Sequence, residues 1–383
     1  MPLSMRTTEK FTIDRREVGR LVGTDPGPTL AIVAGIHGNE PAGIHAARRV
    51  FARLERGDIR TRGEFIVFAG NVASLNLGIR YQVKDLNRCW SEVQVRELST
   101  KVEKDAEDLE QVELLAALDA VVGRARGRVH IGDFHTTSAS GIPFVLFGDT
   151  LPQRQFVRVF PLPIIMGLEE LVDGVLASYW TRRNCVAFSC EGGQHDDPAS
   201  IDSLEAVLWL ALEEAGVTPR GLPEALAGAE LLNTQRGNIP RVLEVLERRA
   251  ITENDAFRME PGFRNLDNAH EGRLLARDRN GDIRAPSDGI VMLPLYQGLG
   301  SDGFFWGRGV SQTRMKAIDV LRQVGADRLL GLLPGVKRDD ANPERLVLRG
   351  AAAKLYPRDV FNFFGYRKAK NHGEHLTLER SGS

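Results

Sequence analysis

The stretch that decides the fold is TLAIVAGIHGNEPAGIHAARRVFARLE, residues 29–55. Residues 29–35 form an unbroken apolar run, as expected of a strand buried on both faces. A short loop, IHG, follows. Asn39 is then expected to cap a helix, with Pro41 near the first helical position. Ile44, Ala47, Phe51 and Leu54 recur at helical spacing. The segment therefore reads strand, tight loop, helix.

Working outward, further strands are expected at EFIVFAG (64–70), VHIGDFH (129–135), FVLFG (144–148) and CVAFSC (185–190). A long acidic helix is expected at 98–123 and another at 199–215. Strands alternating with helices predict an α/β fold with a doubly wound, mostly parallel sheet. Ligands of such sheets bind beyond the carboxyl ends of the strands. The character changes at GVTPRGLP (216–223), which reads as a linker. Two domains are expected, residues 1–216 and a smaller β-rich unit, 217–383. In the second, a helix is expected around 240–250 and another at 311–324. A hairpin turn is expected at Asn280–Gly281 and a second turn at Asp288–Gly289.

The chain has 383 residues, 42% hydrophobic and 26% charged, and a net charge of -1. That is ordinary globular composition, and it gives no reason to propose a nucleic-acid or membrane partner. No apolar run approaches the length of a membrane span, and MPLSMRTTEKFTID at the start has no apolar signal core. Cys89, Cys185 and Cys190 form no CxxC pair and are odd in number, which fits reduced, buried thiols. A cytoplasmic protein is expected.

The chemistry gathers at the predicted strand ends. His37 and Glu40 are three apart in GIHGNE, on one side of a loop entering a helix. Imidazole nitrogen and carboxylate oxygen are both zinc ligands, and a hydrolytic zinc keeps three protein ligands and one open position. The best third ligand is His135 in GDFHTTSASG. It ends a buried strand, at the same carboxyl edge as His37, and Asp133 is placed to support it. A histidine after a strand is more often structural than a ligand. The weight therefore rests on the combination of two strand-end histidines with an acid.

Glu191 follows CVAFSC and precedes two glycines, a placement that suits a general base. Its alternative is a satisfied loop carboxylate. Arg80, Asn87 and Arg88 cluster in IRYQVKDLNRCW (79–90). Arginine there can grip a carboxylate or stabilise an oxyanion, or else remain solvated, with Asp85 as a neutralising partner. His45 is expected within a helix and His195 near Glu191. His372 and His375 have ligand-like spacing but lie in a polar tail.

GIHGNE, RYQVKDLNR, GDFHT and the strand-borne CEGG, in this order, resemble the succinylglutamate desuccinylase and aspartoacylase family of zinc carboxypeptidase-like hydrolases. The resemblance covers about 28–215 and, more loosely, 270–310. It implies one zinc ion per chain, held by His37, Glu40 and His135. It implies Glu191 as the base that activates water and Arg80 as the group that polarises the scissile carbonyl. Asn87 and Arg88 would bind a substrate carboxylate. The implied reaction is hydrolysis of the amide bond of a small anionic N-acyl amino acid. The implied fold is a zinc-hydrolase domain with a β-rich C-terminal unit shaping the pocket.

A zinc carboxypeptidase for short peptides is the alternative, and a non-catalytic binding protein is a third. The oligomeric state is open, a homo-oligomer included. Two features depart from the family. Its further arginine before the catalytic acid corresponds only to Arg182 or Arg183. Its C-terminal tyrosine has no counterpart in SDGFFWG, with Tyr296 nearby.

Overall fold

The computed structural model describes residues 12–169, 171–340, 342, 345–349, 355–356, 360–361, 364–372 and 375–380. Most of the reading of the amino-terminal segment, and the surroundings of YRKAKNH, lie outside what is described. The strands are β1 (Glu17–Val22), β2 (Asp25–Ala34), β3 (Arg62–Ala69), β4 (Val129–Thr137), β5 (Phe144–Leu146), β6 (Ile164–Met166), β7 (Val186–Gln194), β8 (Val242–Ala250), β9 (Arg258–Met259), β10 (Asp267–Ala269), β11 (Leu274–Asp278), β12 (Gly281–Arg284), β13 (Gly289–Met292), β14 (Asp302–Gly309), β15 (Val336–Arg338), β16 (Arg345–Arg349), β17 (Tyr366–His372) and β18 (His375–Arg380). The helices are α1 (Ala42–Leu54), α2 (Val72–Leu77), α3 (Glu92–Thr100), α4 (Ala106–Arg124), α5 (Leu151–Val157), α6 (Leu176–Thr181), α7 (Ala199–Ala215), α8 (Pro223–Arg236) and α9 (Gln312–Gln323). No helix among the described residues is long and apolar enough to cross a membrane.

One large sheet runs β1-β3-β2-β4-β7-β5-β6-β8-β14-β13-β10. Its centre, β3-β2-β4-β7, is parallel. Strands β5, β6 and β8 are parallel to one another but antiparallel to β7. From β8 through β14 and β13 to β10 the pairing is antiparallel. The sheet thus continues past Gly216 without interruption. Separate small antiparallel sheets are formed by β12-β11-β9 and β15-β16-β18-β17.

The continuous apolar runs are explained by cover on both faces. Leu30, Ile32 and Ala34 of β2 pack with α1 and α7, whereas Ala31 and Val33 pack with α4 and α6. Strand β3 alternates the same way, Phe65 and Val67 to the first side, Ile66 and Phe68 to the second. Each leucine, isoleucine, valine and phenylalanine among them contributes roughly 1.5–3 kcal/mol through removal from water.

From β2 the chain crosses to β3 on one side and returns to β4 on the other. The loops after β2 and β4 therefore leave a crevice between adjacent carboxyl ends, the usual ligand position in an open α/β sheet. This places His37 and His135 together.

Four local expectations are corrected. The predicted helix at 98–123 is two helices, because Asp105 caps α4 and exchanges hydrogen bonds with Asp108, breaking the run at 101–105. The segment 240–250 is strand β8 rather than a helix. Its Leu, Glu and Arg content favours helix, but pairing with β6 and β14 overrides that preference. Asn39 does not cap α1; Pro41 occupies that position without a side-chain cap. The β11–β12 hairpin turns one residue earlier than expected, at Arg279–Asn280, with Asp278 paired to Gly281.

Candidate active site

Nδ1 of His37 lies 2.9 Å from Glu40 Oε1, and Nδ1 of His135 lies 3.0 Å from Glu40 Oε2. Ligand atoms of the three residues all lie within 4.8 Å of one another, and all three side chains are buried. The two rings stand 5.1 Å apart between centroids. Each far nitrogen is held in turn. His37 Nε2 meets Asp85 Oδ1 at 3.1 Å, and His135 Nε2 meets Asp133 Oδ2 at 2.9 Å. A carboxylate behind each imidazole fixes its ring and raises its basicity, which is how metal-binding histidines are supported. Two nitrogens and a carboxylate suit a divalent cation with N/O preference, and these residues could hold one.

Electrostatics follow the burial. Burial alone would raise the Glu40 carboxyl, but His37 and His135 outweigh it and hold Glu40 well below the usual range. Burial alone would lower His135, but Asp133 and Glu40 outweigh it and hold the imidazole well above its ordinary value. Asp85 is likewise held low against burial, by His37, Arg80 and Arg88.

Glu191 on β7 is paired in register with His135 on β4, at the rim of the same cleft. Burial pushes its carboxyl up to about 8, with His135 opposing that rise and Glu40 adding to it. Its Oε2 is buried and has no partner among the described residues. The Nε atoms of Arg80 and Arg88 are in the same condition. Three unsatisfied polar atoms thus belong to residues lining one cavity of about 130 Å³ beside the ligand trio. Unpaired buried polar atoms are costly, and their concentration marks a place built for a ligand.

The sequence-expected residues all line this cavity. Arg80 Nη2 donates to Asp85 Oδ2 at 3.0 Å, and its Nη1 reaches Glu40 Oε1 at 3.4 Å. The Asn87 amide is engaged within the protein. Its Nδ2 bridges Asp133 and His135, and its Oδ1 accepts from the Leu176 amide. Arg88 donates to Asp302 at 2.8 Å and to the Asn87 carbonyl.

The neighbouring candidates fall elsewhere. Arg182 is exposed, and Arg183 pairs with Glu92 and stacks on Tyr179. The Tyr296 hydroxyl donates to the Glu260 carbonyl and accepts from the Phe263 amide. His375 lies on β18, in the tail sheet, and His45 is partly buried on α1.

Sequence reasoning missed Asp302 and Gln297, which the segment after β13 brings across the cleft. Gln297 Oε1 meets His195 Nε2 at 3.3 Å, and His195 Nδ1 meets Thr136 Oγ1 at 2.8 Å. No local pattern marks these residues, because only the long excursion to β14 brings them near.

Residues 26–199 match the family model described as succinylglutamate desuccinylase/aspartoacylase catalytic domain. The chain is 28% identical over 276 residues to a succinylglutamate desuccinylase of Burkholderia thailandensis, covering 67% of this chain and 71% of that one. It is 25% identical over 281 residues to the corresponding protein of Pseudomonas aeruginosa, covering 69% and 78%. Among solved structures, a succinylglutamate desuccinylase from Vibrio parahaemolyticus superposes with a TM-score of 0.57 at 14% identity, covering 76% of this chain and 86% of the other. The ectoine utilization protein EutE (DoeB) from Ruegeria pomeroyi gives 0.55 at 19%, covering 76% and 87%. At such identities the structural likeness is one of fold. The sequence match spans β2 to the start of α7, the part of the chain that carries His37, Glu40, Arg80, Asn87, Arg88, His135 and Glu191. Over residues 26–199 the chain is thus similar to the catalytic domain of the succinylglutamate desuccinylase/aspartoacylase family.

Proposed function

We propose that the protein is a zinc-dependent deacylase that hydrolyses the amide bond of a small N-acyl amino acid, releasing a carboxylic acid and the free amino acid. The observation that carries this reading is the convergence of His37, Glu40 and His135 beside three unsatisfied polar atoms on Glu191, Arg80 and Arg88.

His37, Glu40 and His135 would hold the ion. When bound, zinc supplies Lewis acidity, making a nearby water acidic enough to lose its proton near neutral pH. Glu191 is suited to take that proton, since its buried carboxyl keeps one oxygen free at the rim of the cleft. After attack on the amide carbon, Glu191 returns the proton to the departing nitrogen. Arg80 directs its Nε–H to the oxygen on which negative charge develops. Arg88 offers a further N–H to the substrate carboxylate. Asn87 borders that subsite while holding His135 and Asp133 in place.

The corresponding division of labour puts the reacting groups in residues 1–216 and one wall of the pocket in 217–383. Residues 293–302 close one side of the cleft. A closed side favours small substrates over peptides, which need an open groove. The test is metal analysis of the purified protein, followed by assays of N-acetyl, N-formyl and N-succinyl amino acids beside dipeptides. Stoichiometric zinc with turnover of N-acyl amino acids supports the reading; turnover of dipeptides alone overturns it.

A further inference from the structure

The cleft has two unlike walls. One carries the ligand trio, Glu191 and the arginines. The other is apolar, made by Leu146, Leu168, Val172, Val175, Leu293 and Phe305. Leu146, Leu168, Val172 and Phe305 belong to one packed core cluster, so this wall is fixed in shape.

Positive charge is scarce in the cleft. Arg80 and Arg88 are the arginines among its described lining residues, and no lysine lines it. Arg80 is already paired with Asp85. Arg88 is paired with Asp302, which lines the cleft itself and is gripped by Arg248 Nε at 2.5 Å. Each guanidinium keeps N–H groups beyond these bonds, but its charge is already engaged by a carboxylate. Arg80 is allotted above to the carbonyl oxygen and Arg88 to one carboxylate, and no further arginine or lysine is among the described residues lining the cleft. A second carboxylate would have to lie against the apolar wall or beside Asp302. Either place leaves it desolvated without a counter-ion, a device by which sites reject an unwanted ligand.

We infer that the substrate is a monocarboxylate, an N-acyl amino acid whose remaining group is uncharged and apolar. Asp302 is the specificity residue that turns dicarboxylates away, by occupying Arg88. This rests on the N-acyl amino acid reading above.

The test compares kcat/KM of the zinc-loaded wild type for N-acetylleucine and N-hexanoylleucine with those for the dicarboxylates N-acetylaspartate and N-succinylleucine. The apolar monocarboxylates should lead by at least about ten-fold, and each methylene in contact with the wall should add about four-fold. Asp302→Asn should narrow the ratio about ten-fold, by raising the dicarboxylates. Calorimetry with hexanoate and succinate reads the same preference without turnover. If no N-acyl amino acid is hydrolysed but hexanoate binds better than succinate, the proposed reaction fails and the inference about the pocket stands. Equal or faster hydrolysis of the dicarboxylates, or tighter binding of succinate, overturns the inference. The wild-type measurements decide this even if Asp302→Asn does not fold.

Discussion

His135 and Glu191 stand opposite each other in register on the parallel neighbours β4 and β7. One backbone ladder therefore fixes the spacing between the imidazole proposed to bind the metal and the carboxylate proposed to transfer the proton, with no loop between them to relax.

Glu191→Gln keeps the size and neutralises the group. The substitution should leave metal content unchanged, since Glu191 is not one of the converging ligands. It should lower kcat by about 10²–10⁴-fold, the usual contribution of a positioned acid–base group. Metal analysis alongside steady-state rates checks both halves; undiminished turnover would remove Glu191 from the mechanism.

Asp85 and Asp133 hold the far nitrogens of His37 and His135. Asp85→Asn and Asp133→Asn should each weaken zinc binding about 10–100-fold, as loss of a carboxylate behind a ligating histidine does. Competition against a chromophoric chelator measures this. Chelation of the wild type should abolish turnover, and added zinc should restore it.

Gly38 lies between two of the ligands and packs against backbone. A Cβ there would meet Ser74 carbonyl carbon at 2.1 Å and Ile79 oxygen at 2.4 Å. Neither is a flexible side-chain end, so Gly38→Ala must push the loop away from α2. The expected outcome is a stability loss of about 1–3 kcal/mol, with zinc affinity falling more than for an alanine placed far from the loop. Denaturant titration and chelator competition would record the two effects.

His130 lies inside β4 and stacks on Phe156 at 4.8 Å. Burial lowers its imidazole to about 4 from an ordinary 6.5, with a smaller opposing effect from the Thr29 backbone. The unfolded chain therefore takes up a proton at a higher pH than the folded one. The stabilisation from a neutral His130 is complete above about pH 6.5, falls as the pH drops through the window, and stops falling near pH 4. Between pH 7.5 and 5 the loss should be about 2 kcal/mol. His130→Phe should remove that share of the slope, as measured by unfolding free energies at the two pH values.

The parallel centre of the fold was legible because β2, β3, β4 and β7 are buried on both faces and read as unbroken apolar runs. Residues at the ends of those runs, His37, His135 and Glu191, were legible for the same reason. Glu40 was found through its spacing from His37. Asp85 was noticed as a neutralising partner of arginine, and it does meet Arg80, but its bond to His37 is a tertiary fact. Strand β8 was misread because helix-forming residues line a strand whose register is set by distant partners. Asp302 and its hold on Arg88 span 214 positions, and no periodicity reaches that far.

The unbroken run of the large sheet bears on how this protein could be cut down or transplanted. Strand β6 hydrogen-bonds to β8, from beyond residue 216. A fragment ending at Gly216 would carry every ligand and the base, yet leave β6 with an open edge and strip the cover from Phe144, Leu146 and Ile165. Bare edges of this kind recruit other chains. Such a fragment should therefore precipitate, and the half that carries the proposed metal ligands is inseparable from the strands that complete its sheet.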